Sequence, residues 1–376
     1  VVEVLLAGGG TAGHVNPLLA VADELRRREP DAGVRVLGTA TGLEARLVPA
    51  RGYELVEIPR VPLPRRPTLD WLRLPGRLRA AVAAAGRAID ERGVQVVVGF
   101  GGYVSTPAYL AARRRGIPVV VHEQNARPGL ANRLGARRAA AVAVTFPGTA
   151  LPGAVVTGLP LRPAIAELAA RRAADPAGSR ATAAAELGLD PAAPVLLVTG
   201  GSLGALSLNR AVSGAAADLL AAGAQVLHLT GAGKDDAVLA ALDAVPGGLA
   251  GRERYHVLAY LDRMELALAV ADLVVCRAGA GTVSELAALG LPAVYVPLPF
   301  GNGEQRLNAA PVVDAGGGVL VADGDLDPAW LRAHAVPLLG AAPALAAMGS
   351  AARGVGVVDA AARVVDLVLA AAGGAR

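Results

Sequence analysis

Leu5-Leu6-Ala7-Gly8-Gly9-Gly10-Thr11-Ala12-Gly13-His14 and, in the second half, Leu196-Leu197-Val198-Thr199-Gly200-Gly201 share one pattern. Each is a short apolar run that ends in a glycine turn and leads into a helical stretch. Such a run reads as a strand covered on both faces, and strand, glycine turn and helix in succession are the opening of a parallel-sheet unit. The alternation continues outward from both. Further apolar, β-branched runs occupy 34–37, 94–98, 118–121, 141–145 and 154–157, then 225–230, 257–259, 273–275, 293–296 and 318–321. Alanine- and arginine-rich helical stretches separate them. The pattern predicts an α/β chain of two Rossmann-like, doubly wound parallel-sheet domains with a ligand cleft between them. It is interrupted at 158–163, where Pro160 and Pro163 follow a strand, giving domains over 1–160 and 161–356. The final helical stretch, about 357–372, has Ala360, Val364, Leu367 and Val368 on one side, so that face must pack on something.

Composition narrows the class. The 376 residues suit two domains, and 53% hydrophobic content with a mean hydropathy of +0.46 is inflated by alanine. No uninterrupted apolar run reaches the ~18 residues of a spanning helix. The first residues lack the pattern of a secretory signal, and the single Cys276 excludes an intrachain disulfide; it reads as a small buried hydrophobe in a cytosolic protein. Lys234 is the only lysine among 36 basic residues, and the net charge of +4 favours anionic partners only weakly. Aromatics at 3% are too few for nucleic-acid stacking, so no nucleic-acid partner is expected.

Gly8, Gly10 and Gly13 satisfy G-x-G-x-x-G, which brings helix-terminal amides close to an anion. A nicotinamide oxidoreductase would also need an acid at the end of the second strand, where 34–39 offers none. Gly200–Ala205 lacks the lysine of a P-loop. Arg277-Ala278-Gly279-Ala280-Gly281-Thr282-Val283-Ser284-Glu285 follows a strand and opens a helix. Its bland reading is capping by Thr282 or Ser284. Its functional reading is a nucleotide site, with amides on the pyrophosphate and Glu285 accepting both ribose hydroxyls. The turns at 99–105 and 122–126 also follow strands, where doubly wound sheets place ligand contacts.

Seven segments in order, GGGTAGHVNP, GFGGYVSTP, HEQNARPGLAN, GLPLR, GGSLGA, CRAGAGTVSE and GNGEQRLNA, resemble the MurG family. These enzymes transfer N-acetylglucosamine from its UDP donor to undecaprenyl-pyrophosphoryl-muramyl-pentapeptide, turning lipid I into lipid II. The resemblance implies a GT-B fold, with the acceptor mainly on the first domain, UDP mainly on the second, and the last helix crossing back to the first. It implies that Thr11, Ala12 and Gly13 line the cleft near the donor, that Asn125 contacts the sugar, and that Arg162 and Ser202 approach the phosphates. Leu261, at the start of its helix, flanks the uracil. Ala280, Gly281, Thr282, Val283, Ser284 and Glu285 cradle phosphate and ribose, and Gln305 closes over the donor. Ala12 stands where the family often has glycine, and Glu304 where some members have a second glutamine; the donor contact is therefore assigned to Gln305. Other GT-B transferases and UDP-GlcNAc epimerases share the architecture, but HEQN together with GFGGYVSTP argues against them.

The implied reaction is an inverting displacement by the muramyl 4-hydroxyl. It needs a base and stabilisation of the leaving UDP. His14 is the leading base, since a helix N-terminus disfavours imidazolium; Glu123 is the second candidate, as base or as an orienting group. Asp323-Gly324-Asp325 has the spelling of a metal-binding Asp-x-Asp but reads as a solvated turn, so no cofactor or metal is expected, and helix-terminal amides with Arg162 take the charge. Arginines of 60–89 intermix with apolar residues. Because the family's acceptor is membrane-bound, Arg66, Leu69, Trp71, Leu72 and Arg73 are expected to dock on the anionic cytoplasmic face of the cell membrane, peripherally. The resemblance also implies other cell-wall synthesis or division proteins as partners.

Overall fold

The computed structural model describes residues 1–61, 70–201 and 203–374, with side chains in the helix that opens at Asp70 described from residue 73 onward. Arg66, Leu69 and Ser202 lie outside the described residues, as do the side chains of Trp71 and Leu72. The chain divides into two compact units, Val1–Arg162 with Val358–Arg376, and Pro163–Val357.

The strands of the first unit are β1 (Glu3–Ala7), β2 (Gly33–Gly38), β3 (Glu54–Glu57), β4 (Val96–Gly99), β5 (Val119–Glu123), β6 (Ala141–Val144) and β7 (Ala154–Val156). They form one parallel sheet in the order β3-β2-β1-β4-β5-β6-β7. The chain builds outward from β1 on one side and then crosses to the other, so the carboxyl ends of β1 and β4 flank the point where the winding reverses. Period-two alternation puts Val4 and Leu6 of β1 on one face and Leu5 and Ala7 on the other, each in its own apolar core. Helix Ala12–Arg28 covers the first face; helices Asp70–Arg92 and Gly102–Arg114 cover the second. The last helix, Ala360–Gly373, buries Val364, Val365, Val368 and Ala372 against Val15, Leu18 and Leu19. An Arg28–Asp366 ion pair of 2.7 Å fastens it to helix Ala12–Arg28.

β3 is the strand the apolar pattern does not show. Its sequence is Glu-Leu-Val-Glu, and it lies at the sheet edge with β2 as its partner. Charged residues at an edge discourage pairing with another chain, at the expense of a recognisable strand signal.

The second unit repeats the design with β8 (Val195–Thr199), β9 (Gln225–Leu229), β10 (Tyr255–Leu258), β11 (Leu273–Cys276), β12 (Ala293–Tyr295) and β13 (Gly318–Leu320), in the order β10-β9-β8-β11-β12-β13. Its switch point lies at the carboxyl ends of β8 and β11. Cys276 closes β11, fully buried, and burial pushes its thiol pKa up, as an inert core residue requires.

Candidate active site

In the first unit, the glycine turns after β1 and β4 pack on each other. Gly102 has φ of +76°, and a Cβ there would lie 2.7 Å from the Gly9 carbonyl oxygen. Only a residue with no side chain fits both constraints. Ser105 joins the same two turns: its Oγ accepts from Gly101 N–H at 2.9 Å and donates toward Ala7 O at 2.9 Å. Helix Ala12–Arg28 then begins with Thr11 as its N-cap, but Thr11 caps no amide. Its Oγ1 lies 2.8 Å from His14 Nδ1 instead. The other edge of the ring faces Gly101, where a Cβ would sit 3.0 Å from Nε2. His14 is half-buried between the two turns, while Thr11, Ala12 and Gly13 form an exposed rim. Burial lowers the His14 pKa to about 4, against the opposing pull of the Glu44 carboxylate and a hydrogen bond with the Gly9 backbone. The ring is therefore neutral at pH 7. Nδ1 pairs with the Thr11 hydroxyl, and the Nε2 edge faces the Gly101 turn.

Glu123, at the end of β5, has both carboxylate oxygens engaged. Oε1 accepts from Asn125 N–H at 2.9 Å, and Oε2 accepts from Gly129 N–H and Asn132 Nδ2, each at 2.9 Å. Tyr109 donates to Asn132 Oδ1 at 2.8 Å, so the amide is fixed in turn. A buried carboxylate holding three donors is poorly placed to accept a substrate proton. Of the two roles expected for Glu123, this geometry fits the orienting one: it shapes the turn that carries half-buried Asn125.

Two further histidines are neutral by burial. His122 and His228 have pKa values lowered to about 4 and about 3 from 6.5. The unfolded chain takes up protons below pH 6.5, whereas these folded rings do not until far lower, so stability is full above 6.5 and falls with pH through that window. At pH 5 the loss is about 2 kcal/mol for each ring. Urea midpoints measured from pH 7.5 to 5 should therefore drop steadily, and a flat profile contradicts this assignment.

In the second unit, helix Ala280–Leu289 follows β11 with Gly279 at its N-cap and no capping side chain. Thr282 and Ser284 do not fill that role, so the first-turn amides remain for an anion. Glu285 is half-buried one turn on. The preceding turn is braced from helix Glu304–Asp314. Gln305 Oε1 accepts from Ala278 N–H at 3.2 Å and Leu298 N–H at 3.0 Å, and buried Asn308 donates to Ala278 O at 3.3 Å. Gln305 thus keeps only its amide nitrogen for a ligand. Across the switch point, Gly204 packs so closely on Thr230 that a Cβ would fall 2.0 Å from the Thr230 carbonyl. A buried chain supports that turn: His228 lies 2.8 Å from Tyr255 OH and 3.1 Å from Asn209 Oδ1, and Asn209 Nδ2 donates to Thr230 O at 3.0 Å.

Three sequence expectations change here. Asp323 is not a solvated turn residue: it pairs with Arg277 at 2.5 Å and accepts from Ser207 at 2.6 Å, because β11 and β13 end on the same side of the sheet. Asp325 is exposed, and no cluster of metal-ligating side chains occurs among the described residues. Leu261 precedes its helix, which runs Met264–Val270, since Asp262 and Arg263 keep the intervening turn exposed. Val283 is 1% exposed and points into the core, leaving its backbone as the only part a ligand could meet. Ala280 is also buried, Gly281, Thr282 and Ser284 are half-buried, and Arg162, half-buried, ends the first unit's main segment. Glu44, Arg277, Asn132 and Asn308 were not singled out by sequence. A polar residue that serves a turn from beneath is indistinguishable, in one sequence, from a surface residue.

Two family models match the chain: the glycosyltransferase family 28 N-terminal domain over residues 4–144 and its C-terminal domain over residues 195–364. A protein of Clavibacter sepedonicus named UDP-N-acetylglucosamine–N-acetylmuramyl-(pentapeptide) pyrophosphoryl-undecaprenol N-acetylglucosamine transferase is 60% identical, over 97% of this chain and 95% of its own length. A Nocardioides protein of the same name is 56% identical, over 98% and 97%. Among solved structures, MurG of Acinetobacter baumannii superposes with a TM-score of 0.78 at 30% identity, over 98% of this chain and all of its own. A putative UDP-N-acetylglucosamine 2-epimerase from Listeria monocytogenes, at 16% identity and a TM-score of 0.68 over 97% of this chain and 95% of its own, shares the fold.

Proposed function

This chain belongs to glycosyltransferase family 28 and within it to the MurG family, and from that premise we propose how its two units divide the reaction. It is a hexosyltransferase that moves N-acetylglucosamine from UDP-GlcNAc to the lipid-linked N-acetylmuramyl-pentapeptide, lipid I, in peptidoglycan synthesis. The first unit holds the acceptor and the base; the second holds UDP. The observation that carries this assignment is His14, neutral at pH 7 and held by Thr11 between the two glycine turns.

Nε2 of His14 takes the proton of the muramyl 4-hydroxyl as its oxygen bonds to the anomeric carbon, and UDP leaves with the electrons of the broken bond. One displacement inverts that centre without a covalent sugar–enzyme intermediate. The open amides at Ala280–Thr282 meet the pyrophosphate and stabilise the developing charge, with Arg162 and Ser202 assisting. Glu285 accepts the ribose hydroxyls, Leu261 flanks the uracil, and the Gln305 amide nitrogen reaches the donor. Asn125 contacts the sugar from the turn that Glu123 shapes, and Thr11, Ala12 and Gly13 form the adjoining rim. Incubation with UDP-GlcNAc and a lipid I analogue should release UDP only when the acceptor is present. Conversion of UDP-GlcNAc to an isomeric UDP-sugar without acceptor and without UDP release would favour an epimerase reading instead.

No helix among the described residues is long and apolar enough to cross a membrane. The acceptor is membrane-bound, so the chain docks peripherally on the cytoplasmic face, through Arg66, Leu69, Trp71, Leu72 and Arg73. Arg73 is exposed near the start of helix Asp70–Arg92, whose opposite side buries Val82, Ala85 and Ile89. Sedimentation with vesicles should show binding that rises with anionic lipid and weakens with salt. Equal binding to neutral vesicles contradicts the arginine part of this reading. Other cell-wall synthesis and division proteins are further partners under the same proposal.

A further inference from the structure

Glu44 opens the short helix Glu44–Ala50 and is fully buried directly beneath the first glycine turn. Its oxygens accept three neutral donors: Oε2 takes Gly10 N–H at 3.0 Å, and Oε1 takes Thr39 N–H at 3.1 Å and Thr39 Oγ1–H at 2.9 Å. Three glycines leave room for it. A Cβ at Gly9, Gly38 or Gly42 would lie 2.6, 2.6 or 2.1 Å from a Glu44 side-chain atom. A buried carboxylate is costly unless its oxygens are hydrogen-bonded, and three donors here hold both oxygens in place. What adjoins it is the turn that continues through Thr11 to His14.

We propose that Glu44 is the positioning residue of that turn and the buried counter-charge of His14. It fixes the Gly10 peptide, and through Thr11 the imidazole ring, while its negative charge stabilises the imidazolium formed when the ring takes the acceptor's proton. This rests on the reading of His14 as the base. Other polar and charged groups around the turn are Tyr103, whose hydroxyl lies 3.3 Å from Thr39 Oγ1, Arg60, 5.6 Å over the Tyr103 ring, and Glu123 beyond Asn132. Glu123 holds the turn that carries Asn125, and Arg60 is positive, whereas Glu44 is hydrogen-bonded to the His14 turn itself through Gly10 N–H. Glutamine cannot replace it cleanly. With one accepting oxygen and one NH2, it would turn a donor toward either Gly10 N–H or Thr39 N–H.

The test is a double-mutant cycle on the full chain, read as steady-state UDP release with a lipid I analogue. Glu44→Gln should lower kcat about tenfold or more, with the donor KM within about twofold of normal. In the His14→Ala background the same substitution should lower kcat by less than about twofold, because its effect acts through the ring. An equal further loss in that background, or a normal kcat for the single variant, overturns the proposal. A normal kcat for His14→Ala overturns instead the base reading on which it rests. If Glu44→Gln does not fold, Thr39→Val removes one donor and keeps the carboxylate. It should lower kcat about two- to fivefold in the native background and not in His14→Ala; an equal loss in both is again fatal.

Discussion

His14→Ala should lower kcat by about 100- to 10,000-fold, the range that a positioned general base contributes. UDP affinity, measured by calorimetry, should stay within about twofold, since no UDP contact is assigned to His14. The size of the effect follows from the ring's setting. Burial holds the pKa down at about 4, so nearly every molecule carries a neutral ring at pH 7. Thr11 fixes one nitrogen and leaves the other facing the Gly101 turn. Alanine removes the acceptor and the ring's contacts with both turns, while the Gly9–Gly102 packing and Ser105 continue to join them. Turnover within about fivefold of normal would remove His14 from the base role.

Glu285→Ala should act on the other substrate. A carboxylate accepting two hydroxyls contributes about 2–4 kcal/mol, so the donor KM should rise by about 30- to 1,000-fold. At saturating donor, kcat should stay within about threefold. The discriminating measurement is binding of UDP against 2′-deoxy-UDP. The native protein should prefer UDP clearly, and the variant should bind both alike, because the group that reads the hydroxyl is gone. Undiminished discrimination in the variant would place the ribose elsewhere.

Strands buried on both faces were legible because their chemistry is uniform. Val96, Val97 and Val98 are apolar whichever way they point, and so are Leu5, Leu6 and Ala7. β3 was not legible, because an edge strand carrying Glu54 and Glu57 has no such constraint. The site divides along a similar line. Thr11 and Gly279 end turns that follow strands, His14 and Glu285 lie in the helices those turns open, and the turn chemistry marks all four. Glu44 reaches Gly10, 34 residues away, and Asp323 reaches Ser207 and Arg277, 116 and 46 residues away, groups that no local pattern links to them. Asp323 looks solvated until Arg277 and Ser207 are brought to it by the parallel ends of β11 and β13. Gln305 is a related case. Its position suits a ligand contact, yet its oxygen is already committed to Ala278 and Leu298, a commitment visible only once helix Glu304–Asp314 is folded against the turn.

The contact between Gly9 and Gly102 bears on drug resistance. A compound seated above these two turns would press mainly on backbone atoms, which no codon change can edit. The positions that could be edited tolerate no side chain: at Gly102 a Cβ meets the Gly9 carbonyl at 2.7 Å, and at Gly9 it meets the Glu44 carboxylate at 2.6 Å. Substitution at Gly9 or Gly102 is thereby a costly route of escape. Bacteria exposed to such a compound would be left with export, overproduction, or changes at the exposed rim formed by Thr11, Ala12 and Gly13.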